Sequence, residues 1–228
     1  MLIYAHRGAS NDFVEGSKAA YEGALAQGAD GFECDVRLTK DKQIICYHDA
    51  DTKRLSGIDL KIAETTSNEL NEKVKPYYFA DLLDLAISNN KDLVIETKHP
   101  VPTGGLIEKE LHNLLSNKAL QIQKSGIRVL LISFSYRATR RNKKSGFQSG
   151  LLVNKSFMAR FNTAPVIAAN IEIIKKDPSF VGEQQKRGKK VIVWTVNNQD
   201  DLNLCRDLGI YAVITDKPAQ ARKLLGYS

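Results

Sequence analysis

The chain has 228 residues, 43% hydrophobic and 26% charged, with 33 Lys and Arg against 26 Asp and Glu. Those proportions exclude a disordered or collagen-like chain, and no apolar run approaches the roughly 20 residues of a membrane span. The +7 surplus suits anionic ligands such as phosphates and equally a soluble surface.

In chain order the pattern predicts a strand over 2–6, a helix over 16–27, strands over 31–37 and 43–48, and a helix over 79–89. A strand over 92–98, a helix over 105–124, a strand over 128–134, a helix over 136–145 and a strand over 150–153 follow. A weaker strand near 166–171 comes next, then a helix over 178–187, a strand over 191–196, a helix over 200–208, a strand over 212–215 and a helix over 218–225. Strands alternating with helices of this length imply βαβ units and a parallel sheet. About eight strands in this length favour an α/β fold of the (β/α)₈ TIM barrel type over an open doubly wound sheet. Gly28, Gly188 and Gly209 suit left-handed helix ends. Residues 49–78 are polar and irregular, and are expected to form a small loop-rich insertion at one barrel end, within a single domain over 1–228.

Cys34, Cys46 and Cys205 form no CxxC pair and no even-numbered framework, which argues against a disulfide scaffold or structural zinc. Met1 leads into Leu2-Ile3-Tyr4-Ala5 and then polar residues, with no secretory leader pattern, so a cytoplasmic location is expected.

Chemistry-bearing residues collect at predicted strand ends. In Gly31–Arg37, Glu33, Asp35 and Arg37 share one face, while Phe32, Cys34 and Val36 share the other. Buried carboxylates need a partner. A hard divalent ion such as Mg²⁺ or Ca²⁺ would serve; so would Arg37 or a lysine. A turn centred between Asp41 and Lys42 would set Asp35 opposite His48, and parallel strands would put both at carboxyl ends, so the two are expected close together either way. His6 closes the first strand, followed by Arg7, a forked donor suited to phosphate, and Gly8, which permits close backbone approach. Glu96 and Lys98 share a face of the 92–98 strand, where a salt bridge between them is the plain reading. Barrel enzymes place active sites at the carboxyl ends of strands. Two histidines, three carboxylates and two cations there suggest metal-assisted phosphodiester chemistry with histidine acid–base catalysis.

The run His6-Arg7-Gly8-Ala9-Ser10, Glu15, Gly28-Ala29-Asp30-Gly31-Phe32-Glu33-Cys34-Asp35-Val36, Leu38-Thr39-Lys40-Asp41 and His48-Asp49 resembles the glycerophosphodiester phosphodiesterase family. Later matches are Glu96-Thr97-Lys98, Ser133-Phe134, Trp194-Thr195-Val196-Asn197 and Ile214-Thr215-Asp216-Lys217-Pro218. The likeness runs from residue 4 to about 225, weakest between about 100 and 170. It implies a phosphodiesterase barrel that hydrolyses small-molecule glycerophosphodiesters to glycerol 3-phosphate and an alcohol. By motif position, Glu33, Asp35 and Glu96 match the Mg²⁺ or Ca²⁺ ligands, and His6 and His48 the acid–base pair. Arg7 and Lys98 match phosphate contacts, Trp194 an aromatic on the glycerol side, and Glu15 a supporting carboxylate. The nucleophile is water or the substrate's own neighbouring hydroxyl. Two departures stand out: Glu15-Gly16-Ser17 replaces Glu-Asn-Thr, and Tyr77-Tyr78 replaces Pro-Thr, which is expected to reshape the pocket rim. Lysophospholipase D activity, on the same barrel, would require an apolar groove beside the site. A non-catalytic phosphodiester-binding module would be expected to lack His6 or His48, and both are present.

Two basic runs, at 137–144 and 186–190, read as solvated faces, with attraction to an anionic lipid surface or to nucleic acid as the sharper alternative; nucleic-acid binding is not expected, because no aromatics lie between their charges. Cys34 is expected to face away from the site, and His99 and His112 to be exposed.

Overall fold

A computed structural model describes residues 1–227. Its strands are β1 (Leu2–His6), β2 (Gly31–Leu38), β3 (Ile44–Cys46), β4 (Asp92–Thr97), β5 (Val129–Ser133), β6 (Gln148–Val153), β7 (Val166–Asn170), β8 (Lys190–Trp194) and β9 (Ala212–Thr215). The sheet order is β1-β9-β8-β7-β6-β5-β4-β2-β3, and β1 also pairs with β2. All strands except β3 are parallel to their neighbours, so eight of them close into a (β/α)₈ barrel.

Alternation along the strands divides the barrel into three environments. Outward residues such as Phe32, Cys34, Val36, Leu93 and Ile95 pack with helix residues Tyr21, Leu82 and Leu83. Each such fully buried apolar side chain contributes about 1.5–3 kcal/mol. Inward residues Tyr4, Val94, Leu130, Ile132, Leu152, Val166, Ala168, Ile192, Ala212 and Ile214 fill the barrel's own core. One step further toward the carboxyl ends, inward positions turn polar at His6 after Tyr4, Glu96 after Val94 and Asp216 after Ile214, while Trp194 after Ile192 stays largely apolar. The polar floor of the site therefore rests on a packed apolar plug.

Several boundaries differ from expectation, each for a local reason. The expected 43–48 strand is not a barrel stave; β3 runs antiparallel to β2, and the weaker 166–171 segment completes the barrel as β7. The β2–β3 turn has three loop residues, with Lys42 in the left-handed region (φ 67°) and Thr39 N–H bonded to Gln43 O at 2.9 Å. That odd loop centres the hairpin on Asp41, one half-residue earlier than expected, so Asp35 O accepts from Tyr47 N–H at 2.9 Å rather than facing His48. The single helix expected over 105–124 is two, Leu106–Asn117 and Ala119–Ser125, broken at Lys118 (ψ 7°) after Ser116-Asn117, both modest helix formers.

Residues 49–78 hold more structure than a loop: helices Lys53–Ser56 and Ser67–Lys73 and the 3₁₀ turn Ile62–Glu64. Ile62 and Leu70 pack against Ile45 and Tyr47 in a small satellite cluster. Two buried contacts are too few to show as periodicity. Tyr77 and Tyr78 do not shape the pocket rim as expected. Tyr77 stacks at 5.8 Å on Tyr21, and Tyr78 OH donates to Ser67 O at 3.2 Å. Ser17 caps the first helix, accepting from Ala20 N–H at 3.2 Å.

Candidate active site

The strand register assembles the site. His6 lies beside Glu33 on the β1–β2 pair, and Asp35 beside Glu96 on the β2–β4 pair. His6, Arg7, Glu33, His48, Glu96, Lys98, Phe134 and Trp194 line one open cavity of ≈ 510 Å³ at the barrel mouth. Just after His6, Arg7 adopts φ 55° and Gly8 φ 84°. A Cβ on Gly8 would stand 2.5 Å from the Ala20 carbonyl carbon, so only glycine fits. The strained turn at Arg7 is held by its N–H bonding Glu33 O at 3.0 Å, and it aims the guanidinium at the carboxylates.

Glu33, Asp35 and Glu96 are buried, and one oxygen from each lies within 4.8 Å of the others. Their charge partners are Arg7 and Lys98, not Arg37. Arg7 Nε is 2.8 Å from Asp35 Oδ2, and Lys98 Nζ is 2.8 Å from Asp35 Oδ1 and 3.0 Å from Glu96 Oε1. Arg37 instead fixes the His48 carbonyl, from Nε at 2.9 Å and Nη2 at 2.6 Å. Each Asp35 oxygen is buried with one cation 2.8 Å away, which leaves its remaining lone pairs toward the other two carboxylates. A carboxylate triad with spare lone pairs fits a hard divalent cation.

Burial raises Glu33 to about 7, helped by the Asp35 charge. The same two causes push Glu96 well above the usual carboxylate range. Burial would raise Asp35 as well, but Lys98, Arg7 and His48 outweigh it and hold Asp35 well below that range.

Each cavity histidine is oriented by a carboxylate. His6 Nδ1 is 2.7 Å from Asp216 Oδ1, leaving Nε2 turned toward Glu33 Oε2, 4.0 Å away. His48 Nδ1 is 2.7 Å from Asp49 Oδ1. A carboxylate only accepts, so both rings carry the proton on Nδ1 and leave Nε2 for a ligand. Burial disfavours the His6 cation, yet the Asp216 hydrogen bond and the Glu33 charge outweigh it and raise its pKa. Burial dominates at His48 and lowers its pKa. Glu15 joins the network by bridging Arg7 Nη1 at 3.0 Å and Arg54 Nη2 at 2.6 Å. Trp194 Nε1 donates to Ala168 O at 3.0 Å, and its ring meets Phe134 edge-on at 5.7 Å, forming an apolar wall.

The sequence pattern of the Glycerophosphoryl diester phosphodiesterase family matches residues 6–220. The chain belongs to this family. It is 30% identical over 252 residues to the Mycobacterium tuberculosis protein named "Probable glycerophosphodiester phosphodiesterase 1", covering 98% of this chain and 92% of that one. The crystal structure of the glycerophosphodiester phosphodiesterase of Thermotoga maritima superposes with a TM-score of 0.78 at 25% identity, over 98% of each chain. An Oleispira antarctica phosphodiesterase, solved with its product sn-glycerol 3-phosphate, shares the fold with a TM-score of 0.82 at 20% identity. There 99% of this chain and 97% of that one are covered.

In this phosphodiesterase three site residues escaped sequence reasoning. Asp216 accepts from Ser10 Oγ at 2.9 Å and Asn197 Nδ2 at 2.5 Å besides contacting His6. Its signal was available: it lies two residues beyond inward-facing Ile214. Asp49 was readable only as the neighbour of His48. Arg54, which donates to Asp49 Oδ2 at 2.5 Å, comes from the irregular segment and carried no signal. Conversely, His99 and His112 are not free surface residues. His99 Nε2 is 2.5 Å from buried Glu108, and His112 Nε2 is 3.0 Å from Asn142 Oδ1. Cys34 faces the helices, and burial pushes its thiol well above its ordinary pKa, which disarms it as a nucleophile. Among the described residues no helix is long and apolar enough to cross a membrane.

Because Asp216 raises His6, the Asp216→Asn variant should show His6 titrating at lower pH than in the parent. Imidazole proton NMR of the metal-free protein reads this directly. An unchanged His6 titration would remove Asp216 from the orienting role.

Proposed function

We propose that the chain hydrolyses glycerophosphodiesters to glycerol 3-phosphate and an alcohol, with His6 and His48 as the acid–base pair. The observation that carries this reading is the pairing of two Nδ1-anchored histidines with a buried three-carboxylate cluster in one cavity. Glu33, Asp35 and Glu96 would hold Mg²⁺ or Ca²⁺. Bound there, the ion supplies charge neutralisation of the phosphate oxygens.

Arg7 and Lys98 add fixed positive charge where the phosphate docks, and both are already held against Asp35. One histidine Nε2 takes the proton of the attacking oxygen. The other, as the imidazolium that carries a second proton on Nε2, gives that proton to the departing alkoxide. Asp216 and Asp49 keep each ring in the tautomer that leaves Nε2 free. Trp194 and Phe134 offer the glycerol carbons an apolar face. Residues 1–228 act as one catalytic barrel domain, to which the 49–78 insertion contributes Arg54. Cys34, Cys46 and Cys205 are buried and unpaired, which supports a cytoplasmic setting.

A second reading, lysophospholipase D action, is favoured by one observation. A neighbouring cavity of ≈ 560 Å³ shares Lys98 with the site and is lined by Val36, Leu38, Ile62, Val101 and Ile107. The groove lies between Ile62 and the 100–107 segment. Comparing kcat/KM on glycerophosphocholine and lysophosphatidylcholine separates the two. Faster turnover of the water-soluble diester is expected; a preference for the lysolipid would transfer the assignment to the second reading.

A further inference from the structure

The surplus positive charge of this protein sits on one flank. Residues 136–161 contain seven Lys and Arg and no Asp or Glu, and residues 178–190 contain four against one, Glu183. Together they carry +10 in a chain of net +7, so the remainder carries −3. Far apart in sequence, the two stretches meet on either side of the β6–β7 connection. Tyr136 OH donates to Met158 O. From the other side Arg187 Nη2 donates to Arg160 O at 3.2 Å, and Lys189 Nζ to Asn162 O at 2.9 Å. Of these eleven cations only Arg141 has a carboxylate partner among the described residues, Glu108 at 3.4 Å.

The same connection replaces a barrel α-helix with the short 3₁₀ helix Ser156–Phe161. Phe157 and Phe161 lie on it with 70% and 75% of their surface exposed, more than any other large hydrophobic among the described residues. The basic runs lack interleaved aromatics in sequence; the fold supplies them. Exposed apolar rings on a flank whose cations, Arg141 apart, have no carboxylate partner among the described residues match an anionic bilayer, where rings enter the acyl boundary and cations meet lipid phosphates. A single-stranded nucleic acid would instead call for a groove that tracks its backbone.

We propose that this flank, with Phe157 and Phe161 at its centre, adsorbs the protein onto an anionic lipid surface. The patch runs along one side of the barrel: Phe157 follows the carboxyl end of β6 by four residues, whereas Lys189 precedes and Lys190 opens β8 at its amino end. The inference does not depend on the proposed reaction, and its test reads no turnover.

The test is co-sedimentation of the full chain with vesicles of phosphatidylcholine alone and with about one-third phosphatidylglycerol. Pelleting is expected with the anionic vesicles only, and is expected to be lost near 0.5 M salt, where screening reaches within a few ångströms. Phe157→Ser with Phe161→Ser should weaken vesicle binding about tenfold or more, while circular dichroism and thermal melting, read as checks on folding, stay unchanged. Failure to pellet with anionic vesicles at low salt overturns the proposal. So does unchanged pelleting of the double variant. A single-stranded oligonucleotide bound more tightly than the anionic vesicles, and released by the same double variant, would overturn it in favour of nucleic acid.

Discussion

His6→Ala and His48→Ala are each expected to lower turnover by on the order of 10²–10⁴, the usual contribution of a positioned acid or base. The fold should survive both changes, because each side chain projects into an open cavity rather than the core. Circular dichroism and thermal melting check that point. The two variants should then differ on a glycerophosphate ester of 4-nitrophenol, whose leaving group departs without a proton. The variant lacking the acid recovers most of its deficit on this ester, and the variant lacking the base does not. That contrast identifies which histidine plays which part. Near-parental turnover of the ordinary substrate by either variant would remove that histidine from the mechanism.

The second large effect concerns stability without metal. Glu33 binds its proton up to about pH 7 in the folded chain, against 4.5 when unfolded. A carboxyl group raised on folding stabilises fully below its unfolded pKa, and the benefit is lost as pH rises through the folded value. The metal-free protein should therefore lose roughly 3 kcal/mol between about pH 4.5 and 7 from Glu33 alone. Glu96, also raised, acts in the same direction. Asp35 is lowered, so its contribution is lost only at pH below the usual carboxylate range, outside this window. His48 is lowered too and works the other way below 6.5. Urea unfolding in chelator across this range reads the slope. Glu33→Gln should flatten it, and so should saturating divalent metal in the parent. A flat profile in the metal-free parent would contradict the crowded-carboxylate account.

The barrel was legible because the strands obey a simple rule. Phe32, Cys34 and Val36 alternate with Glu33 and Asp35, and that period of two survives in the structure as a helix-facing side and a site-facing side. The same rule extended to Asp216 would have found the orienting partner of His6. What was not legible depends on single-residue geometry. Lys42 in the left-handed region shifts the β2–β3 register, and Lys118 divides one apparent helix into two; neither leaves a mark on hydrophobic periodicity. Arg54 reaches the site from a segment ordered by only a few buried contacts, and Arg37 abandons the carboxylates of its own strand face for the His48 carbonyl. Such choices follow from three-dimensional competition for partners, which strand spacing alone does not encode.

The most direct test of the central claim is release of glycerol 3-phosphate from glycerophosphocholine by the purified chain. It is run with Mg²⁺, with Ca²⁺ and with chelator, beside Asp35→Asn. Release that requires a divalent ion, stops in chelator and is absent from the variant is the predicted result. Equal release in chelator, or by Asp35→Asn, would contradict the metal-dependent phosphodiesterase built on Glu33, Asp35 and Glu96.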